Sequence, residues 1–299
     1  MILITGVSGF VGEHFARMFA AAGEEVVGTF LTHPISIPRV DAVAVDLTDA
    51  GAVWRLVDAV RPAAIVHCAA ATRTGWCEEH PAEARGAIVE GTANLCAAAR
   101  RSGRAVPLVM LSTDLVFDGE AAPYDISAKP KPLNVYGGLK CEAEAVVKEL
   151  ASGIVVRTAL VYGPPASHGA SFLQWIVKGL ARGEAVTLFH DEWRTPVSVF
   201  DLFEAVRRAL GAWPNRECGD LYHAGGADRL SRVEMGRVIC EVFGLPGDTI
   251  VSAGRNDVAA GGARARDVSL SCGELHRLGW RPQSFKTGLE QCLQQWKVS

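Results

Sequence analysis

The chain opens on an unbroken apolar run, Met1 to Thr5, that stops at Gly6. A segment apolar on both faces predicts a strand buried within a parallel sheet. An amphipathic helix follows to about Ala22, with Gly23 closing it. The same alternation then recurs. Strand patterns cover Glu25–Phe30, Val40–Val45, Ala63–His67, Val106–Leu111 and Ile154–Thr158, and helical periods cover Ala50–Val60, roughly Pro81–Arg101, and Tyr136–Leu150. Strands alternating with helices predict an α/β fold, a doubly wound parallel sheet. Farther on come helices at Ser171–Arg182, Ser198–Leu210, Ser231–Phe243 and near Lys286–Lys297, with short strands at Ala185–Phe189, Gly219–His223 and near Ile250. The pattern changes from Gly225, which predicts a smaller C-terminal α/β lobe.

Composition narrows the partners. A formal net charge of −3 and a pI near 6.3 argue against nucleic acid or an anionic membrane as the main partner. No apolar run approaches the ~18 residues of a membrane span, and the start MILITG is too short for a signal segment. The cysteines are scattered, without C-x-x-C or Cys/His grouping at metal spacing, so a metal-free, reduced, cytoplasmic protein is expected.

The first strand leads into GVSGFVG, with Gly6, Gly9 and Gly12 at three-residue spacing before the helix. Glycines there let the backbone approach a pyrophosphate, whose charge then sits on the helix amino terminus. Gly6, Ser8, Gly9, Phe10 and Val11 are therefore candidate dinucleotide contacts in a Rossmann sheet. The segment after the second strand, Thr29 onward, has no carboxylate before Asp41. An acid there would hold the ribose 2′-hydroxyl of NAD, so its absence favours NADPH and leaves NADH open. Asp46, followed by Leu47, reads either as an acceptor for the adenine amino group or as the cap of the Ala50–Val60 helix. Cys68, Ala69 and Ala70, small residues after the fourth strand, read as cofactor wall. His67 is a minor candidate base.

Leu111 to Lys140 carries the chemistry. Thr113 emerges at the carboxyl end of a strand, where ligands of open α/β sheets sit. Tyr136 and Lys140 follow at i and i+4, about 40° apart on one helical face. Reduction of a carbonyl needs a proton donor, and a phenol of pKa ~10 is a weak one unless a neighbouring ammonium favours its phenolate. The spacing predicts that Lys140 lowers the pKa of Tyr136.

ITGVSGFVG (Ile4–Gly12), LSTDLVFDG (Leu111–Gly119), PLNVYGGLK (Pro132–Lys140), RTALVYG (Arg157–Gly163), RTPVSVFDL (Arg194–Leu202) and YHAGG (Tyr222–Gly226) together resemble the extended short-chain dehydrogenase/reductases, most closely the dTDP-4-dehydrorhamnose reductase group. The resemblance implies a dinucleotide-binding domain over residues 1–163, completed by about 192–224, and a substrate lobe from 164–191 and 225–299. It implies catalysis by Thr113, Tyr136 and Lys140. Tyr136 would protonate the alkoxide, Lys140 would also hold the nicotinamide ribose, and Thr113 would bond the carbonyl of a nucleotide-linked 4-keto-6-deoxysugar. Thr113, Asp114, Arg264 and Arg266 are the candidate substrate contacts, the arginines facing a diphosphate or else a solvated basic loop.

The sequence departs from the group at Leu115, Ala159 and Ile88, where tyrosine, an aromatic and asparagine are common. Leu115 also stands where related dehydratases carry a catalytic glutamate, which argues against water elimination. A 4-epimerase and a non-catalytic dinucleotide-binding subunit, like the β subunit of methionine adenosyltransferase, are the alternatives. A homodimer is compatible with either.

Overall fold

The computed structural model of the chain describes residues 1–213, 220–257 and 263–296. Among the predicted segments, Gly219, residues 258–262 and Lys297 lie outside the described residues. Seven parallel strands form the main sheet: β1 (Ile2–Thr5), β2 (Val26–Phe30), β3 (Val40–Ala44), β4 (Ala64–His67), β5 (Leu108–Thr113), β6 (Gly153–Thr158) and β11 (Leu221–Ala224). Their spatial order is β11-β6-β5-β4-β1-β2-β3, so the order reverses beside β1. That reversal is the switch point where ligands of such sheets bind. Three small pairs lie outside this sheet: β7 (Val161–Tyr162) with β10 (Val197–Ser198), β8 (Val186–Phe189) with β13 (Ile250–Ala253), and β9 (Trp193–Arg194) with β12 (Leu230–Ser231).

Side chains alternate across a strand, so β1 sends Ile2 and Ile4 to one core and Leu3 to the other. The first core packs α1 (Phe10–Ala21), α8 (Val199–Ala212) and α10 (Gly273–Arg277) on one face of the sheet. The second packs α2 (Ala50–Val60), α5 (Gly91–Arg101) and α6 (Val135–Lys148) on the other. A third apolar cluster joins α7 (Phe172–Ala181), α9 (Arg232–Phe243) and α11 (Phe285–Trp296) to β8. This last cluster is the core of the C-terminal lobe. Ser171 and Ser231 open α7 and α9 with reciprocal capping boxes, through Gln174 and Glu234.

Three expectations are corrected. The predicted Pro81–Arg101 helix has its expected bounds but not a uniform winding: following α3 (Thr74–Glu79), α4 (Pro81–Arg85) passes through a π-helical turn at Gly86–Glu90 into α5. Strand β5 runs past Leu111, because Ser112 and Thr113 continue the ladder opposite Arg157 and Thr158. Asp46 is not the cap of α2. Asp49 Oδ1 accepts the Ala52 N–H at 2.9 Å, while Asp46 Oδ1 accepts from Thr48 N–H and Oγ. The two-residue strands are too short to show a period and were not legible.

Phe15 is fully buried and meets Phe203 edge-on, with ring centroids 5.6 Å apart, at the contact of α1 with α8. Phe15→Ala should lower the unfolding free energy by about 3–5 kcal/mol, read by urea denaturation. A loss below about 1 kcal/mol would mean that this interface collapses to fill the space.

Candidate functional site

The carboxyl ends of β1, β2, β4 and β5 open into one cavity of about 1080 Å³ that continues to the C-terminal lobe. Its floor is the glycine turn. Gly6 has φ +73°, and a Cβ there would lie 2.8 Å from Ala69 Cα, while one on Gly12 would lie 2.2 Å from Gly6 O. Only glycine allows the turn to sit against β4 and α1 to begin directly behind it. Ser8, Gly9, Phe10, Val11, Thr29, Asp46, Leu47, Cys68, Ala69 and Ala70 all line this part of the cavity, as do Tyr136 and Lys140 farther along.

Tyr136 is placed by the start of α6. Asn134 Oδ1 accepts the Gly137 N–H at 2.8 Å, and the Glu78 carboxylate accepts the Val135 N–H at 2.8 Å. Thr113, Tyr136 and Lys140 are all buried, yet each reaches the cavity wall. Burial raises the phenol pKa most, Asp114 and Cys77 raise it further, and a hydrogen bond with Thr113 lowers it. Lys140 is not among these influences, so the expected pairing of ammonium with phenol gives way to desolvation. Lys140 itself is pushed down to about 8 by burial, opposed by Glu144 and Cys68.

His67 is not a base. Its Nδ1 lies 2.7 Å from Thr5 Oγ1 and its Nε2 3.0 Å from Thr92 Oγ1, whose hydroxyl donates to Ile88 O at 2.5 Å. With Thr92 donating to that carbonyl, Nε2–H donates to Thr92 and Nδ1 accepts from Thr5. Burial, with Lys140 nearby, lowers its pKa to about 3, so the ring stays neutral and fully engaged.

At the far end of the cavity stands a charged cluster of which the sequence pattern disclosed Asp114 and Arg264 but not Glu192, Arg194 and Arg232. Glu192, 1% exposed, contacts Arg194 at 3.1 Å, Arg232 at 2.9 Å and Arg264 at 3.4 Å. Arg194 Nε also lies 4.0 Å from Asp114 Oδ2. Burial raises the Asp114 carboxyl to about 6, opposed by Arg194 and Arg232. All five residues line the cavity. The antiparallel pairing of Arg194 with Leu230 draws Arg232 onto Glu192, and nothing local in the sequence announces that pairing. Arg264 is therefore on the wall, as expected, but Arg266 is not among the lining residues. Its carbonyl accepts the Trp193 N–H at 2.8 Å, and its exposed guanidinium lies 5.6 Å from the centre of the Trp193 ring.

The Glu192 carboxyl is lowered below 4.5: burial opposes this, but Arg194, Arg232 and Arg264 prevail. A depressed carboxylate contributes stability that is present above the unfolded pKa and lost as pH falls through the folded one. Glu192→Gln should therefore lower the unfolding free energy at neutral pH by about 3–5 kcal/mol and flatten the loss of stability below 4.5. Equal acid sensitivity of both proteins in urea titrations would refute this.

The sequence matches the family of the RmlD substrate binding domain over residues 1–298. It is 31% identical over 282 residues to a probable low-salt glycan biosynthesis reductase, Agl14, of Haloferax volcanii, covering 91% of each chain. It is 27% identical over 297 residues to the methionine adenosyltransferase 2 subunit beta of Danio rerio, covering 98% of this chain and 90% of that one. A dTDP-4-keto-6-deoxy-D-glucose reductase of Streptomyces niveus is 30% identical over 293 residues, covering 97% and 95%. Among solved structures, dTDP-4-dehydrorhamnose reductase of Bacillus anthracis in complex with NADP superposes with a TM-score of 0.86 over 98% of both chains at 23% identity, a likeness of fold. With the glycine turn, the reversed strand order and the Thr113, Tyr136 and Lys140 wall in their places, the chain belongs to the RmlD substrate-binding-domain family and is an extended short-chain dehydrogenase/reductase.

Proposed function

We propose that the protein reduces the 4-keto group of a nucleotide-linked 4-keto-6-deoxysugar, with NADPH favoured over NADH. The observation that carries this reading is the convergence of Thr113, Tyr136 and Lys140 on the wall of the same cavity whose floor is the Gly6–Gly12 turn. The names of the Haloferax and Streptomyces relatives, both reductases, support the class of reaction. The NADP in the Bacillus structure supports the dinucleotide.

The residues fit such a cofactor. The cradle that a Cβ would fill at Gly12 and the open amino terminus of α1 suit a pyrophosphate. Thr29, Phe30 and Leu31 line the cavity without a carboxylate that would repel a 2′-phosphate. The bound nicotinamide supplies the hydride. Thr113 orients the carbonyl and is hydrogen-bonded to Tyr136, which passes its proton to the forming alkoxide. Lys140, charged below about 8, stands one helical turn beyond the phenol on the same cavity wall, where it would hold the nicotinamide ribose. The arginines around Glu192 face the substrate's diphosphate, since planar guanidiniums suit phosphate oxygens. Leu115, packed at the edge of the second core, supplies no base for elimination.

The Danio relative favours a second reading, a dinucleotide-binding regulatory subunit. Turnover separates the two. Purified protein incubated with dTDP- and GDP-linked 4-keto-6-deoxysugars should consume NADPH, and a flat absorbance trace across the panel would sink the reductase reading. Tyr136→Phe should cut the rate by about 10²-fold or more while leaving calorimetric NADPH affinity nearly unchanged. Equal losses in both would make the phenol structural.

A further inference from the structure

One buried ion pair lies outside the steps above. Glu144, one helical turn beyond Lys140 on α6, accepts two hydrogen bonds from Arg157 of β6, at 2.9 and 2.7 Å. Both side chains are buried, 2% and 1% exposed. The same Glu144 Oε1 accepts the Ser112 hydroxyl at 2.6 Å, and Ser112 is the residue before Thr113. One carboxylate thus ties the helix of Tyr136 and Lys140 to the strand of Thr113.

The surroundings of Lys140 leave this pair decisive. From β4, His67 stays neutral and Cys68 stays a thiol, its pKa pushed up to about 12 by burial. From β5, Ser112 and Thr113 carry no charge. Around Glu144 itself stand Arg157, Lys148 of α6 at 3.9 Å, the partly buried Cys141 and, across Arg157, His223 of β11, whose burial holds it neutral with a pKa of about 4. Among the described residues Glu144 is therefore the carboxylate that favours the Lys140 ammonium, and Arg157 is the cation paired with it. A buried ammonium without a counter-ion sheds its proton.

We infer that Glu144 and Arg157 are a positioning pair that sets the charge state of Lys140 and fixes the helix carrying it against Thr113. The inference rests on the reductase reading for its catalytic meaning, but its test does not. The two partners carry opposite charges one helical turn from Lys140, so Coulomb's law gives their removals opposite signs. Removing Glu144 leaves Arg157 to repel the ammonium, and removing Arg157 leaves Glu144 unopposed. A purely structural pair would shift Lys140 in the same direction whichever partner was removed.

The experiment is a pH titration of the Lys140 ¹³Cε resonance in cofactor-free protein, labelled on its seven lysines and assigned by the signal lost in Lys140→Met. The wild-type midpoint is expected at about 8. Glu144→Gln should move it down by about one unit or more, and Arg157→Met should move it up by a similar amount. The double variant buries no unpaired charge and so tolerates the change best; its midpoint should fall between those of Glu144→Gln and the wild type. Shifts of both single variants in one direction, or no shift in either, overturn the inference. If neither single variant folds, a double-variant midpoint equal to wild type overturns it, and a lower one supports it. Ordered midpoints in a protein that consumes no NADPH with any 4-keto sugar nucleotide would leave the pair standing and the reductase reading refuted.

Discussion

The common direction of seven strands is the constraint on which everything else depends. Parallel strands bring every carboxyl end to one edge of the sheet, and in this chain those ends are polar: Thr5 beside His67, Thr113 beside Thr158, Arg157 beside His223. Helices cover both faces, so these groups are withdrawn from water and must satisfy one another. The Thr5–His67–Thr92 chain and the Ser112–Glu144–Arg157 bracket are the result. Thr113, at the end of β5, and Tyr136 and Lys140, on the helix beside it, reach the cavity that opens at this edge. The site is in this sense the residue of a packing problem, left where the sheet cannot close on itself.

Burial also decides how Tyr136 and Lys140 behave. In water a phenol and an ammonium four residues apart would influence each other modestly. Inside this fold both are desolvated, and each is governed by other neighbours: the phenol by Thr113, Asp114 and Cys77, the ammonium by Glu144. Cys77 reaches the phenol because α3 packs against α6, an element the sequence pattern did not disclose. The cavity's two ends differ in kind. The end at Gly6 presents backbone and small side chains, whereas the end at Glu192 presents three guanidiniums gathered by one carboxylate.

Much of this was legible in the sequence, for a physical reason. The glycine turn and the Tyr136–Lys140 spacing are local, so covalent geometry alone places their residues together. The central strands of the main sheet were legible because apolar runs suit burial on both faces, whereas the edge strand β3 is largely exposed and carries Asp41. Arg194, Arg232 and Glu192 were not legible, because the pairing that unites them is two residues long and joins segments far apart in the chain. Arg266 misled for the converse reason: its closeness to Arg264 suggested a shared target, but the chain bends at Arg266, whose exposed side chain lies by Trp193 while Arg264 lines the cavity. Asp46 and Asp49 illustrate the same limit at short range, since two acids three residues apart both suit a helix start and only the backbone path selects one.

The π-helical turn at Gly86–Glu90 carries a consequence of another kind. Such a turn holds one residue more than an α-helix would over the same rise. Deleting one residue there would let α4 and α5 run on as a continuous helix, with no loss of hydrogen bonding. Winding the same residues as a regular α-helix would instead rotate everything after the turn by about 100°, swinging Thr92 away from His67 and Asn94 away from the Leu47 carbonyl that it now holds at 2.8 Å. The helix would be more regular, and the walls it braces would lose their alignment. At this point the wide turn, more than the identity of any side chain in it, keeps Thr92 and Asn94 aligned with their partners.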